Sequence, residues 1–511
     1  MNVVLVSLYE TFSFPLRILS PLLNDLEGIQ AYCVFFKNKY GNKLKLQTKQ
    51  EEQLFIDTIK ELNPGIVGFS VYTAFSPIAA RLNQLVKENS DALTIWGGCH
   101  PTLYPDMCID KTDTICVGEG EETLVELVQA VAESRPWRDI RNLWVNRNGE
   151  IIKNPLRPLN QDIDARHFPS YGNPNFIFIE DNKVTRQDPL IDMPCLWVQT
   201  AQGCPYKCSF CINGLLHDKY RGLGKFLRRR SVDNILREIK TYMEKYGENV
   251  QSIFFFDEVF ATNPEWLQEF KERYKKEVGL PFACSLNPLM VKQNIISELA
   301  EAGLREITVG IQSGSDEIRN EIFERKGSGD EIVHVAKKIK ELNLLAVYDL
   351  ILDNPYDDEE TLEGTLRLML RLPKPLSFHL YRLQFFPEFA VTQKALRDSK
   401  IMPEHATPEY LLRSVGENWA FFPTLFPYER KRILENIIWL YARNKCSDKT
   451  VENIIARKPF ASSAALFFTN IKAVILGQLS LHLIYNSRFF GNLIGVVRAK
   501  ITPSRILKKF N

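Results

Sequence analysis

The chain has 511 residues, 45% of them hydrophobic and 25% charged, which argues against a disordered or fibrous protein and gives too much length for one ordinary core. Its formal net charge of +2 provides no whole-chain electrostatic case for nucleic acid, and a basic run such as Arg228, Arg229 and Arg230 is expected to be a solvated face. The start, MNVVLVSLYETF, lacks the basic region, apolar core and small-residue cleavage site of a signal peptide, so the expected location is cytoplasmic and the ten cysteines are expected to be reduced.

Taken in chain order, MNVVLVSLY predicts a strand, EEQLFIDTIKELN an amphipathic helix, GIVGFSVYT a strand and SPIAARLNQLVKENS a helix. ALTIWGGCHP adds a strand with a glycine turn, DTICVGEG a fourth strand and EETLVELVQAVAES a closing helix. Almost continuously apolar strands separated by helices argue for a parallel sheet covered on both faces, an α/β doubly wound domain over about residues 1–140. Such a sheet binds its ligand beyond the carboxyl ends of its strands. SLYETFSFP has no glycine after the first strand, which argues against a dinucleotide fingerprint. Gly97 and Gly98 would instead let a bulky ligand approach the backbone, with the Ser70 and Thr73 hydroxyls nearby.

Residues 141–190 are rich in Pro, Asn and Gly and predict a linker with one hairpin. From CLWVQTAQGC onward, six βα units in series predict a partial (βα)6 barrel over residues 191–400, whose working edge is the carboxyl ends of its strands. Asn263 is placed to cap the helix that opens at Pro264. Residues 401–511 lose the strand signal and predict a helical extension. Its apolar stretch from residue 465, interrupted by Lys472, Gln478, His482, Asn486 and Arg488, predicts helices docked on the body or, alternatively, a peripheral membrane contact with the basic tail at the lipid surface.

The run CPYKCSFC places Cys204, Cys208 and Cys211 directly after the strand LWVQTAQG, at the carboxyl end of the first barrel strand. Tetrahedral zinc would need a fourth ligand, for which His217 is the neighbouring candidate. A cubane iron–sulfur cluster takes one ligand per iron. With Cys195 as fourth ligand it would serve electron transfer; with three thiolates one iron stays open to a bidentate group, such as the amino and carboxylate ends of a methionine moiety. Phe210, between the last two cysteines, can cover the cluster against water.

Cys-x3-Cys-x-aromatic-Cys at this position resembles the radical S-adenosylmethionine (SAM) superfamily, and the likeness covers roughly residues 190–395. FFFDEVF resembles the acidic second-strand end beside the methionine amino group, which implicates Asp257 and Glu258. VGIQSGSDEI resembles the stretch that reaches the ribose and carboxylate of SAM, which implicates Gln312 and Ser313, and LYRLQFFPEF resembles the segment near the adenine. Two positions depart from the pattern. Gln312 stands where many relatives carry Glu, and Asp353 and Asn354 stand where a glycine-led turn is usual.

The first domain resembles the cobalamin-binding domain found ahead of many radical SAM domains, through IVGFSVYTAF, WGGCHPTLYPD and CVGEGEETLVEL. That likeness implies Ser70, Tyr72, Thr73, Gly97, Gly98, Gly118 and Glu119 around the corrin and its nucleotide tail. No Asp-x-His-x-x-Gly motif is present, so cobalt is expected without a protein imidazole, and His100 is expected to be a loop residue. Together the resemblances imply a 4Fe-4S cluster, SAM and cobalamin. The implied chemistry is a 5′-deoxyadenosyl radical used to methylate an unactivated carbon or phosphorus of a small molecule, with an electron donor such as flavodoxin or ferredoxin. Radical cyclisation or rearrangement without methyl transfer, and a non-catalytic sensor, stay open, as does a lipid-like substrate suggested by the apolar tail. Cys33, Cys99, Cys108, Cys116, Cys284 and Cys446 are expected to be small buried hydrophobes, with Cys284 alternatively lining the cavity.

Overall fold

Six consecutive buried residues, from Val3 to Leu8, make β1 (Asn2–Leu8) a strand covered on both faces, and a central place in a sheet follows. The computed structural model describes residues 1–39, 44–246, 249–260, 263–288, 294–418, 430–456 and 476; the apolar run from residue 465, apart from Leu476, and the basic tail lie outside the described residues. Two units are distinguished, the first made of residues 1–192, 218–225 and 404–417, the second of residues 193–217, 226–403 and 418–511.

In the first unit, β1 is followed by α1 (Phe14–Asn24), β2 (Gln30–Phe36), α2 (Lys49–Leu62), β3 (Ile66–Ser70), α3 (Ser76–Asn89), β4 (Leu93–Gly97), α4 (Cys99–Leu103), β5 (Thr114–Cys116) and α5 (Glu121–Ala132). The strands β2, β1, β3, β4 and β5 lie side by side in that order, all parallel. The region expected to be a linker supplies four more strands: β6 (Leu143–Arg147), β7 (Glu150–Lys153), β8 (Phe176–Glu180) and β9 (Lys183–Thr185). The antiparallel pair β6–β7 extends one edge beyond β5, and β8–β9 extends the other beyond β2. The outermost strands β7 and β9 are short and at most half-buried, and such edge strands need little apolar sequence, whereas β6 and β8 are apolar and largely buried but set in Pro-, Asn- and Gly-rich surroundings.

The helix α1 was also not anticipated, because Pro21 inside it and Arg17 on its buried side break the apolar pattern. Arg17 explains its own burial. It donates to both oxygens of Asp188 at 2.8 Å, to the carbonyls of Thr11, Phe12 and Ser170 at 2.9, 3.0 and 3.1 Å, and lies against the rings of Phe35, Tyr171 and Phe176. Both charged side chains are fully buried: Arg17 is satisfied by Asp188 and these carbonyls, and Asp188 by Arg17 and the N–H groups of Gly172 at 2.8 Å and Leu190 at 2.9 Å.

The second unit holds six parallel strands paired in chain order: β10 (Cys195–Val198), β13 (Ser252–Phe255), β14 (Phe282–Leu286), β15 (Leu304–Gln312), β16 (Leu345–Leu352) and β17 (Phe378–Arg382). Between β10 and β13 come the small hairpin of β11 (Ala201–Gln202) with β12 (Arg228–Arg229), and the helices α6 (Ile212–Lys219) and α7 (Val232–Tyr246). Helices α8 (Pro264–Glu277), α9 (Ile295–Ala302), α10 (Gly329–Glu341) and α11 (Glu359–Arg371) make the crossovers, giving the expected partial barrel. Asn263 caps α8 by accepting from Trp266 N at 2.9 Å, as its spacing predicts. Phe255 packs on Phe270 and Tyr274 of α8, so its face of the sheet looks at the helices, while its neighbours Phe254 and Phe256 look into the concave side with Trp197.

The basic run is not a solvated face. Arg228 bonds Gln202 at 3.0 Å, Arg229 bonds Thr200 at 2.9 Å and stacks on Trp266, and Arg230 pairs with the fully buried Glu238. Three cations are thus spent holding a two-residue hairpin that has almost no ladder of its own. After β17 come α12 (Ala390–Arg397), α13 (Pro408–Asn418), α14 (Arg430–Ala442) and α15 (Asp448–Ala456). Most of α13 groups with the first unit and the other three helices with the second, so the described residues after 400 do not form one separate body. From Leu434 to Ala442, α14 is buried all round. No helix among the described residues is long and apolar enough to cross a membrane.

At the exit of β15, a Cβ on Gly314 would lie 2.1 Å from the Thr365 Cα of α11, whereas one on Gly97 would meet nothing within 4 Å. Gly314→Ala is therefore expected to cost about 2–3 kcal/mol in chemical unfolding, and Gly97→Ala less than about 0.5 kcal/mol. Asp188→Asn strands the Arg17 charge and is expected to cost about 3–5 kcal/mol in the same measurement, and the paired change Arg17→Met with Asp188→Leu is expected to remain destabilised, because the carbonyls of Thr11, Phe12 and Ser170 and the N–H groups of Gly172 and Leu190 lose their partners.

Candidate functional site

The chain leaves β10 through β11 into a tight turn at Gly203, whose φ of 88° and the Phe226 carbonyl, 2.5 Å from where a Cβ would stand, both require glycine. The cysteine loop starts there. Cys204 and Cys208 are buried and Cys211 half-buried. The loop is pinned from behind at Ser209, whose N–H donates to Phe323 O at 3.0 Å, whose hydroxyl donates to Ile322 O at 2.6 Å, and whose carbonyl accepts from Val391 N at 3.1 Å. Phe210 meets Phe323 edge-on with ring centres 5.0 Å apart. Burial pushes the Cys204 thiol up to about 11 and Cys211 upward, with neighbouring negative groups, Glu258 among them, adding to both. The metal-free Cys204 and Cys211 thiols therefore hold their protons more tightly than a free thiol does, and a metal must displace those protons to bind.

Among the described residues, no three His, Cys, Asp or Glu side chains converge on a single metal ion. A mononuclear zinc site would need that convergence. A cubane spreads its three cysteines over three different irons, so the three thiols of this loop fit it without meeting at one point. His217 packs its ring edge-on against Phe226. Cys195 opens β10, at the opposite end of the strand from the loop. Arg325, which the motifs did not single out, points at Cys208 Sγ from 3.6 Å and donates to Gly310 O at 3.1 Å, placing a cation beside a would-be thiolate.

The two acids after β13 have separate fates. Asp257 is buried and accepts from Thr200 N at 2.6 Å, Ala201 N at 3.1 Å and the Thr200 hydroxyl, with Arg229 at 3.8 Å. Burial pushes its carboxyl up, opposed by Arg229 and these donors. It stitches β13 to the exit of β10. Glu258 is accessible to solvent, yet burial by the surrounding protein raises it to about 7. Gln312 has a left-handed φ of 68°, and its amide together with the Arg325 guanidinium fills the space over Gly310. Ser313 is buried, and its hydroxyl accepts from Ser315 N at 3.2 Å. Gly310 is in register with Asp349 and Asp349 with His379, whose Nδ1 lies 3.0 Å from the carboxylate. One layer of the sheet thus links Cys208, through Arg325, to an Asp–His pair that only cross-strand register brings together. Cys284 is fully buried, as expected of a small hydrophobe.

In the first unit, Ser70, Tyr72, Thr73, Gly97 and Gly98 lie at the carboxyl ends of β3 and β4. Tyr72 is 43% exposed, Thr73 is turned inward, and the side of Gly97 that a Cβ would take is open. Gly98, at φ 99°, lies against Val71, and Thr102 ties it to the next strand end by donating to Gly98 O at 2.7 Å while accepting from Gly118 N at 3.0 Å. Gly118 is covered by the Tyr220 hydroxyl, which also accepts from Glu119 N at 3.1 Å. A cavity of about 280 Å³ opens beside Glu119, floored by Ile18, Leu22 and Val125 and rimmed by Arg166 and Tyr220. An open glycine edge next to an apolar-floored cavity fits a group with a broad flat body and an arm. His100 belongs to α4 rather than to a loop, and it is fully buried with no hydrogen-bond partner for either ring nitrogen among the described residues. Burial pushes it down to about 4, so it stays neutral.

Residues 198–369 match the family model of the radical SAM superfamily, and residues 29–128 that of the B12 binding domain. Among curated proteins, the chain is 27% identical over 320 residues to an uncharacterized methyltransferase of Pyrococcus horikoshii, covering 61% of this chain and 66% of that one. It is 23% identical to the cytidylyl-2-hydroxyethylphosphonate methyltransferase of Streptomyces wedmorensis, covering 57% and 58%, and 24% identical to an anaerobic magnesium-protoporphyrin IX monomethyl ester cyclase of Rubrivivax gelatinosus, covering 61% and 55%. The matches thus span between about half and two thirds of these relatives' length. The fold is shared with the radical SAM methyltransferase TsrM of Kitasatospora setae, solved with cobalamin and a [4Fe-4S] cluster (TM-score 0.61, 16% identity, 88% of this chain and 89% of that one). It is shared also with the cobalamin-dependent SAM radical enzyme OxsB (TM-score 0.64, 15% identity, 96% and 74%). A cysteine loop at the carboxyl end of the first barrel strand and, in the other unit, a doubly wound sheet with an open glycine edge agree with both family matches: the chain carries a B12 binding domain ahead of a radical SAM domain, and the cofactors these domains imply are cobalamin, a 4Fe-4S cluster and SAM.

Proposed function

We propose that this protein is a cobalamin-dependent radical SAM methyltransferase acting on an unactivated carbon or phosphorus of a small molecule. The observation that carries this proposal is the three-cysteine loop, which provides one ligand fewer than a cubane has irons, in a chain that also carries a B12 binding domain. When bound, the cluster supplies the electron that splits SAM into methionine and a 5′-deoxyadenosyl radical, and cobalamin supplies the methyl group.

Cys204, Cys208 and Cys211 would hold three irons, with Arg325 lowering the cost of a thiolate at Cys208. Phe210 keeps water from the loop. Glu258 accepts the methionine amino group, while Asp257 acts one step back by fixing the strand end that carries Glu258. Gln312 and Ser313 lie at the end of β15, where they meet the carboxylate and ribose. Ser70, Tyr72, Thr73, Gly97 and Gly98 border the corrin, and the cavity beside Gly118 and Glu119 receives its nucleotide arm. Reducing equivalents come from a small donor of the flavodoxin or ferredoxin kind, in the cytoplasm.

Radical cyclisation is the second possibility, favoured by the similarity to three magnesium-protoporphyrin IX monomethyl ester cyclases. Anaerobically reconstituted protein, given SAM, cobalamin and a reductant, is expected to form both 5′-deoxyadenosine and S-adenosylhomocysteine. Cyclisation alone would omit the homocysteine product. Cys208→Ala is expected to lose the cluster absorbance and all 5′-deoxyadenosine, and a variant that still forms it overturns the proposal.

A further inference from the structure

Three successive strands of the barrel reach its working edge through a non-glycine residue in left-handed backbone: Gln312 at the end of β15 (φ 68°), Asp353 directly after β16 (φ 61°) and Glu388 beyond β17 (φ 61°). Such backbone persists only where its surroundings over-determine it, and it concentrates at ligand-binding edges. Asp353 stands where the superfamily pattern has a glycine, so its conformation must be enforced by something else in this chain.

The enforcing groups come from the first two turns of α14, about eighty residues further along. Asp353 pairs with Arg432 at 2.5 Å and with Arg382 of β17 at 2.7 Å, and its N–H donates to Glu435 Oε1 at 3.1 Å. Glu435 is fully buried and paired with Arg432 at 2.8 Å. Lys431 donates to the carbonyl of the buried Asn354 at 2.7 Å. The residues that follow in α14 are buried from Leu434 to Ala442, so this ionic clamp is mounted on an anchored helix. It acts on a strand of consequence. Four residues before Asp353, Asp349 is the register neighbour of Gly310, over which Gln312 and the Cys208-directed Arg325 lie.

We infer that Arg432 and Glu435 are positioning residues for the SAM site, holding the turn after β16 in the left-handed shape that a glycine would otherwise adopt freely. This rests on the function proposed above and deepens it: in this chain, SAM affinity depends on α14. Without Arg432, the carboxylates of Asp353 and Glu435 face one another with one cation fewer, and the strained turn relaxes away from the ligand.

The test uses cluster-loaded full-length protein and S-adenosylhomocysteine as the probe, with affinity measured by equilibrium dialysis and iron content and melting temperature recorded for each variant. Arg432→Leu is expected to bind the probe about tenfold more weakly at unchanged iron content, the fold-change matching the free energy of one left-handed residue. Asp353→Gly should bind like the wild type, because glycine adopts the conformation unaided. The decisive variant joins the two changes: Arg432→Leu with Asp353→Gly should recover wild-type affinity even if its melting temperature stays low. A merely structural clamp would lower the melting temperature of Arg432→Leu and leave its affinity unchanged, and that result overturns the inference, as does a double variant that remains weak. Wild-type protein that loads its cluster and ignores the probe overturns the proposed function as well.

Discussion

The barrel depends on one carboxylate, Asp257, that accepts two backbone N–H groups and a hydroxyl from the residues leaving β10. First and second strands are thereby joined at the edge where the cysteine loop begins, and Arg229 balances the charge from 3.8 Å. A buried acid so fully used is a structural clip. The loop is then fixed from the other side by Ser209, which binds backbone from two distant segments. Between these two anchors the three thiols have little freedom, as the proposed cluster with one corner left open would require.

The two units solve a similar problem with different residues. Both build a parallel sheet and place their candidate site residues beyond the carboxyl ends of its strands. In the first unit the working edge is bare, with the open side of Gly97 and a cavity beside Glu119. In the second it is crowded, with Gln312 and Arg325 packed over Gly310 and a helix clamped on Asp353. A preformed opening suits a large cofactor that stays, whereas a tightly shaped edge suits a co-substrate that must be bound, cleaved and released in each cycle.

Much of this was legible in the sequence because its signals are local. Continuous apolar runs marked β1, β3, β4 and β5, the alternation of strand and helix marked the barrel, and Asn263–Pro264 marked the start of α8. What escaped was whatever depends on distant partners. Arg17 looks like a solvent-facing residue until Asp188, 171 positions away, is folded against it. Arg228, Arg229 and Arg230 look like a basic patch until β11 and Glu238 are in place. Arg325, Asp349 and His379 carry no motif, since only the register of β15, β16 and β17 aligns Asp349 and His379 with Gly310, whose carbonyl Arg325 reaches from a loop. The edge strands β7 and β9 were hidden because they need little hydrophobicity, β6 and β8 because Pro-, Asn- and Gly-rich sequence surrounds them, and Asp353 looked like a lost glycine because the cation beside it lies in another helix.

The chain crosses between its two units more than once. After α6 begins behind the cysteine loop, residues 218–225 group with the first unit, where Tyr220 covers Gly118, and residue 226 resumes the second; residues 404–417 make another such excursion. Neither unit is therefore a continuous piece of polypeptide. A ribosome has released the barrel's first strand and its cysteines before the last parts of the corrin-side unit exist, so that unit cannot be completed ahead of the other as beads on a string would be. No single cut or gene fusion point could part them, and any lineage that kept one half alone would first have had to rebuild the contacts now borrowed from the other's stretch of sequence.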